Sequence, residues 1–320
     1  MKYPEVVHIR PAIPADLDAL LAFPLDRAVG TIGPRRLQEE LAAGRLRWPW
    51  TWLVLDQDGT LLGRALWWGR SDSTAPLALD CLHLLERVPD RAQVAADLLI
   101  SAHRALIGSA RPPAYQLALP THWRDDPAAR DAVGWRLRAA AAAALTEQVE
   151  RLRYAWEPRA GQPPATGRLR MRPGTEREFL DLFERAAVGT LDLNTRRSLA
   201  VMTPAAQARD DYDFYLDCPG ERDWWRMATT ATGEPVGFIV PSATPYHRNV
   251  GYLGVLPAHR GRGIVDDLLA EIIRFHAGQG SEYITATTDL ANIPMARALG
   301  RAGFRVTENR LLLEAPVGSA

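Results

Sequence analysis

The chain has 320 residues, long enough for two ordinary domains, and its 38 Lys and Arg balance its 38 Asp and Glu to a net charge of zero. That balance excludes a broad basic field for nucleic acid. The only cysteines, Cys81 and Cys218, form no CxxC pair and no disulfide framework, which points to a reducing compartment. The opening MKYPEVVHIRPAIPADLDALL lacks the apolar core of a signal peptide, and no apolar run reaches membrane-spanning length. The expectation is a soluble cytoplasmic protein without a membrane partner.

In chain order, IRPAIPADLDALLAF (residues 9–23) predicts a short strand ending in Arg-Pro, then a helix with an acidic first turn. Strands are predicted around 51–56, 61–68, 76–84, 114–119 and 147–156, with a Gly-containing hairpin turn in DGTLLGRALWW. Trp48, Trp50 and Trp52 alternate along a run read as extended, and core burial is favoured for them over ligand stacking. The alanine run at 139–144, flanked by charged residues, reads as a packed helix.

The same order then recurs. MRPGTEREFLDLFER (171–185) matches residues 9–23, TGEPVGFIVPS (232–242) matches 58–68, and LGVLPAHRGRGIVDDLLAEIIRFHA (253–277) matches 82–106. The ordered set predicts two copies of one α/β domain of about 150 residues each. The copies are taken as 1–158 and 167–316, joined by the Gly-, Pro- and Ala-rich EPRAGQPPATGR (157–168). In the second copy, strands are expected at 167–173, 223–231, 235–242, 248–256, 282–288 and 304–314. Helices are expected at about 175–187, 263–277 and 292–302, with a helical or irregular stretch over 194–212. The acidic-aromatic DYDFYLD, if extended, places Tyr212, Phe214 and Leu216 on one face and Asp211, Asp213, Tyr215 and Asp217 on the other.

The densest chemical signal is VLPAHRGRGIVDDLL (255–269), a strand, a glycine-containing basic turn and an amphipathic helix. Glycines let the backbone turn tightly, and the helix N-terminus offers unpaired N–H groups and a positive dipole end. The combination suits an anion such as a diphosphate, with Arg260 and Arg262 as counter-charges. The motif is neither a P-loop nor a full GxGxxG. No metal site emerges from the dispersed histidines.

GYLGVLPAHRGRGIVDDLL followed by ATTDLANIPMARALGRAGFRV resembles the GCN5-related N-acetyltransferase (GNAT) superfamily. In the family's Arg/Gln-x-x-Gly-x-Gly/Ala segment, Arg260 and Gly263 match, and Val265 departs while keeping its N–H. The resemblance implies an α/β fold of two tandem acyl-CoA N-acyltransferase-like domains, each a mixed central sheet flanked by helices, in an arrangement similar to mycothiol synthase-like members. It implies acetyl-CoA as cosubstrate, held by Gly254, Val255, Arg260, Gly261, Arg262, Gly263, Ile264, Val265 and Asn292. It also implies transfer of acetyl to a primary amine of a small molecule or peptide, with a backbone N–H near Val255 stabilising the reacting oxygen. Counting from Asn292, the family's acid tyrosine falls on Leu299, which carries no proton. The catalytic candidates are therefore Asp289, Tyr252 and His247, with 186–196 and 210–217 as candidate walls of the acceptor pocket. Glu271 and Asp267 are read as surface groups. In the first copy, the shared DLL triplet aligns Gly261 with Arg91 and Gly263 with Gln93, and Asp90 replaces Arg260. That copy is expected to have lost cofactor binding. The alternative function is a CoA-binding regulatory or interaction protein. A homodimer is left open.

Overall fold

The computed structural model describes residues 8–108, 110–164 and 166–316. Residues 1–7, the start of the segment read as lacking a signal-peptide core, lie outside the described residues. The chain divides into two compact units, Met1–Glu150 with Glu308–Ala320, and Arg151–Thr307. Among the described residues, no helix is long and apolar enough to cross a membrane.

The first unit contains β1 (His8–Pro11), α1 (Leu17–Ala22), α2 (Pro34–Ala42), β2 (Thr51–Leu55), β3 (Leu61–Trp68), β4 (Ala78–Leu84), α3 (Arg91–Ile107), β5 (Ala114–Leu119) and α4 (Pro127–Ala142). Next comes β6 (Glu147–Trp156), within which the unit boundary falls. The second unit continues with β7 (Arg170–Arg172), α5 (Glu176–Ala187), α6 (Leu193–Leu199), α7 (Pro204–Asp217), β8 (Arg226–Thr229), β9 (Pro235–Ala243), β10 (Arg248–Val255), α8 (Ile264–Gly278), β11 (Ile284–Asp289) and α9 (Ile293–Arg301). The last strand, β12 (Arg305–Glu314), carries the second boundary.

In the first unit the strands run β1-β2-β3-β4-β5-β12. The β4–β5 pair is parallel and the other pairs are antiparallel. In the second unit they run β7-β8-β9-β10-β11-β6, with only β10–β11 parallel among the described pairs. The two boundaries therefore lie inside strands, not in the 157–168 connection. The strand after α4 completes the second unit's order, and the strand after α9 completes the first's.

Each sheet is mixed and covered on both faces, because alternate side chains of a strand enter different clusters. In β2, Trp52 and Val54 join one core with Trp67, Leu98 and Trp135, while Leu53 and Leu55 join another with Leu20 and Leu37. In the second unit, Ile239 and Leu253 pack beneath Leu268, Leu269, Ile272 and Ile273 of α8. Phe238 and Val240 pack against Phe179 and Phe183 of α5 and Tyr212 of α7.

Several expectations are corrected. DYDFYLD is helical, the last two turns of α7, not extended. Thr203 caps that helix by accepting from the Ala206 N–H, and Pro204 occupies its first turn. Trp48–Trp50 form a 3-10 turn, so the proposed tryptophan alternation is lost, although Trp50 and Trp52 are buried. The alanine run does pack within and just after α4.

Three buried histidines contribute to the acid sensitivity. Burial lowers His83, His103 and His276 to about 4 each. These rings fold neutral, and the unfolded chain binds their protons first as pH falls. Stability is full above about 6.5 and declines towards pH 4. At pH 5 each is expected to remove on the order of 1–2 kcal/mol relative to pH 7. Urea midpoints at the two pH values check this, and equal midpoints would contradict it.

Candidate functional site

The parallel ladder between β10 and β11 covers two residue pairs, Arg248↔Ile284 and Asn249↔Thr285. A register irregularity in β10 follows, and from Tyr252 to Val255 the strand continues against β9. From Ala286 onward, β11 continues against β6. The facing edges of β10 and β11 are thus unpaired with each other over their C-terminal halves. Leu256 donates its N–H to Val236 in β9. By strand alternation, the N–H groups of Leu253 and Val255 point away from β9, towards this opening.

At the mouth of the opening lies the turn between β10 and α8. Gly261 and Gly263 both adopt left-handed backbone, at φ +74° and +72°. Gly263 is the N-cap of α8 and supplies no side chain to cap it. The amides of Ile264 and Val265 are left without a side-chain cap, while Asp266 N–H donates to Gly263 O at 3.1 Å. Two arginines fix the turn: Arg168 holds its carbonyls, and Arg260 ties its start to the end of α5. Arg168 donates to Arg262 O at 3.0 Å and Gly263 O at 2.6 Å, and its Nε is anchored on Asp267. Arg260 donates through Nε to Val255 O at 3.1 Å, and its other nitrogens reach Val188, Gly189 and Ala186 carbonyls at the end of α5. With the Arg262 and Gly263 carbonyls held by Arg168, the amide side of the turn is the side left to serve as an anion cradle.

This geometry reassigns Arg260, which is engaged with carbonyls and so acts as a clamp, not an outward counter-charge. Arg262 is exposed and is the arginine of the pair left at the rim. Asp267 is only 7% exposed and also accepts from Thr166 Oγ1, so it is a buried anchor and not a surface group. Glu271 is half-buried, paired with Arg274. Asp266 pairs with Arg301 of α9, tying the first turn of α8 to the next helix. Gly254 is packed so closely that a Cβ there would lie 2.5 Å from the Phe238 ring, so tight sheet packing already demands glycine. Ile264 is buried and Val265 half-buried against the α8 core. Asn292 caps α9 through Oδ1, which accepts from Met295 N at 3.3 Å. Leu299 is 1% exposed in the core, and its exposed neighbour Gly300 adds no donor.

The three catalytic candidates do not converge. His247 precedes β10, roughly 25 Å along the strand from Val255 at about 3.3 Å per residue. It packs on Tyr283, and burial pushes its imidazole below the usual value. Asp289 ends β11 with both oxygens engaged: Oδ1 accepts from Arg151 Nε at 2.9 Å and Oδ2 from Leu193 N at 2.7 Å. It caps the first turn of α6 rather than α9. Tyr252 lies at the opening, with its ring against Phe183, Phe238 and Tyr215. Burial pushes its phenol up, as do Asp211 and Asp192, so it is a neutral O–H.

Facing Tyr252 is a group that an extended reading of residues 210–217 obscures. On α7, Gln207, Asp211 and Tyr215 recur every four residues and form one stripe. Tyr215 stacks on Tyr252 with centroids 5.4 Å apart and planes 13° from parallel. Gln207 Nε2 donates to Asp211 Oδ1 at 2.8 Å. Burial lifts the Asp211 carboxyl to about 6 against that hydrogen bond, with Asp192 and Asp210 adding to the rise. The Thr-Pro helix start at 203–204 is the sequence signal that would have revealed the stripe.

The corresponding region of the first unit is built differently. The β4–β5 ladder also covers two pairs, Ala78↔Ala114 and Leu79↔Tyr115. Beyond them, the Leu82 carbonyl of β4 accepts from Arg136 Nε at 3.0 Å, and the Ala118 carbonyl of β5 accepts from Gly30 N at 2.9 Å. Arg136 is fully buried and pairs with Asp26 at 2.7 Å. Burial works against the Asp26 carboxylate, but Arg136 and the Ala28 N–H hold it below the usual range. At the helix start the structural partner of Gly263 is Asp90, not Gln93. Asp90 is the N-cap of α3 in left-handed backbone, φ 45°, and its carboxylate accepts from Gln93 N. An acidic side chain thus stands at the helix start where the second unit has a glycine without one.

Residues 193–304 match the acetyltransferase (GNAT) family. Among solved structures, the chain is similar to a GCN5-related N-acetyltransferase from Sphaerobacter thermophilus, at 17% identity, 97% of this chain, 96% of that chain and a TM-score of 0.56. It is also similar to a structure described as a GCN5-related glucosamine N-acetyltransferase region in a fungal multi-domain GH3 β-N-acetylglucosaminidase, at 12% identity, 97% and 38% coverage and a TM-score of 0.54. A functionally unknown conserved protein from Staphylococcus epidermidis matches at 11% identity, 79% and 91% coverage and a TM-score of 0.50. No curated protein matches. The chain has the GNAT-superfamily acetyltransferase fold. Among the described residues, no cluster of His, Cys, Asp or Glu is placed to hold a metal ion.

Proposed function

We propose that the protein is an acetyl-CoA-dependent N-acetyltransferase whose single cosubstrate site lies in the second unit, Arg151–Thr307. The observation that carries this reading is the turn of Gly261 and Gly263, its Arg262 and Gly263 carbonyls held by Arg168 and its start tied by Arg260 to Val255 and the end of α5, beside the unpaired edge of β10. These residues fit a diphosphate: the amides of 261–265 face it, and Arg262 supplies charge at the rim. The β10 edge beside Gly254 offers the N–H groups of Leu253 and Val255 to the cosubstrate's amide-bearing arm, and the free Nδ2 of Asn292 is a further donor. Acetyl-CoA supplies an activated acyl group with a good thiolate leaving group. The chain's own part is to orient it, to aim the outward N–H near Val255 at the carbonyl oxygen as charge develops there, and to neutralise an incoming ammonium. Tyr252, held neutral, is a donor beside the departing sulfur. Asp289 and His247 have no part in this proposal.

The first unit is proposed to be a cofactor-free copy. Its equivalent strand edges are satisfied by Arg136 and Gly30, and its helix start is capped by Asp90. A second reading, a CoA-binding regulatory protein, is favoured by the buried Leu299, which leaves α9 without an acid. Calorimetry with CoA, followed by an acetylation screen over small and peptidyl amines, separates these readings. One CoA per chain with turnover is expected. CoA binding without product on any amine class selects the second, and no CoA binding refutes both.

A further inference from the structure

Gln207 is 6% exposed, yet its Oε1 has no hydrogen-bond partner among the described residues. Its orientation is fixed, because Nε2 must face the Asp211 carboxylate. A buried carbonyl oxygen without a donor is costly, on the order of 1–3 kcal/mol. The missing partner is an N–H group, and the neighbouring carboxylate asks for a cationic one. The nearby arginines are otherwise engaged: Arg209 pairs with Glu176 and Asp213, and Arg260 holds backbone carbonyls. Beside this pair stands the Tyr215–Tyr252 stack, and Tyr252 belongs to the strand that borders the opening. Phe214, 61% exposed and edge-on to Tyr215, extends the aromatic surface outward.

We infer that Asp211 is the proton acceptor for the acetylated amine, with Gln207 positioning it, and that the acceptor is an arylalkyl primary amine whose ring lies against Tyr215 and Tyr252. The inference rests on the acetyltransferase reading and gives it a substrate class. The ammonium donates to Gln207 Oε1 and to the Asp211 carboxylate, and one N–H proton passes to Asp211. The freed nitrogen lone pair forms the C–N bond to the thioester carbonyl carbon, and the C–S bond breaks. The second nitrogen proton is lost as the amide forms, and the thiolate is protonated to CoASH. Asp211 then returns its proton to solvent, so each turnover releases one proton. A carboxyl lifted to about 6 is ionised at neutral pH and basic enough for this exchange. The titratable groups facing it are Asp192, Asp210, Tyr215 and Tyr252.

The test uses 2-phenylethylamine as the probe. Its equilibrium binding is measured first without CoA, on wild type and Asp211→Asn, with 2-phenylethanol as the uncharged control. Wild type is expected to bind the amine at least tenfold more tightly than either the variant binds it or wild type binds the alcohol. Equal binding by the two proteins, or no amine binding by wild type, overturns the inference. With acetyl-CoA, Asp211→Asn is expected to lose about 10²–10⁴ in kcat/KM at pH 7. Much of that loss is recovered by pH 9.5, where more of the free amine is neutral. A variant as active as wild type at pH 7, or a loss that does not shrink with pH, also overturns it. CoA affinity, read separately, stays unchanged in the variant. Absence of CoA binding to wild type would instead sink the acetyltransferase reading, with the amine-binding result standing apart.

Discussion

Gly263→Val is expected to weaken CoA binding at least about 30-fold while leaving the protein folded. The position is left-handed, φ +72°, where an L-residue pays roughly 1–2 kcal/mol and a β-branched one sits at the high end. A Cβ would also come 3.4 Å from Arg168 Nη2, the group that holds the turn, and valine's methyls press further into it. Either the clamp loosens or the helix start rotates, and in both cases the amides lose their common direction. Gly261 supplies the contrast. It is equally left-handed but has open space around it, so Gly261→Ala suffers strain without collision and loses less affinity. Gly263→Asn, which tolerates the left-handed region, falls between wild type and valine. Calorimetry on the four proteins gives the ranking. Wild-type affinity in Gly263→Val would remove the cradle from the proposal.

Arg136→Ala is expected to have the largest effect on stability. The guanidinium is fully buried and donates to Leu82 O, Ala132 O and Asp26 Oδ2. Its removal leaves a cavity beneath Trp135, the Leu82 carbonyl without its donor and a half-buried carboxylate without its counter-charge. Breaking such a pair typically costs about 3–5 kcal/mol, which corresponds to roughly 10 °C in melting temperature for a unit of this size. The double variant Asp26→Asn/Arg136→Met, which also removes the stranded charge, should recover part of the loss. CoA affinity measured at 20 °C should be unchanged, as a cofactor-free first unit requires. A Tm within 2 °C of wild type would show that the pair does not hold the first unit together.

The sequence made the strand-turn-helix at 253–277 legible because its information is local. Glycine at two positions, an apolar strand before them and an amphipathic period after them describe the turn without reference to the rest of the chain. The family likeness of 250–306 followed from the same residues. The strands at 61–68, 114–119 and 147–156 were also placed from local apolar pattern and turn chemistry. α7 was misread because acidic-aromatic alternation fits a strand, while the deciding signal, a Thr-Pro cap, lay several residues upstream. Asp267 was misread because period alone does not reveal that Arg168, 99 residues earlier in the chain, reaches back to bury it.

By itself, then, the sequence determined the α/β class, the glycine turn and the lack of those glycines in the first copy. Only tertiary structure decided what each charged side chain faces. Arg260 and Arg262 are near neighbours in sequence, yet one is turned onto the carbonyls of α5 and the other stays at the rim. Asp289, a candidate base read from the sequence, is engaged by Arg151 and the Leu193 amide, while Asp211 lies half-buried beside Gln207. The physical reason is that a titratable group's role depends on its hydrogen-bond partners and desolvation, and these come from segments distant in the chain.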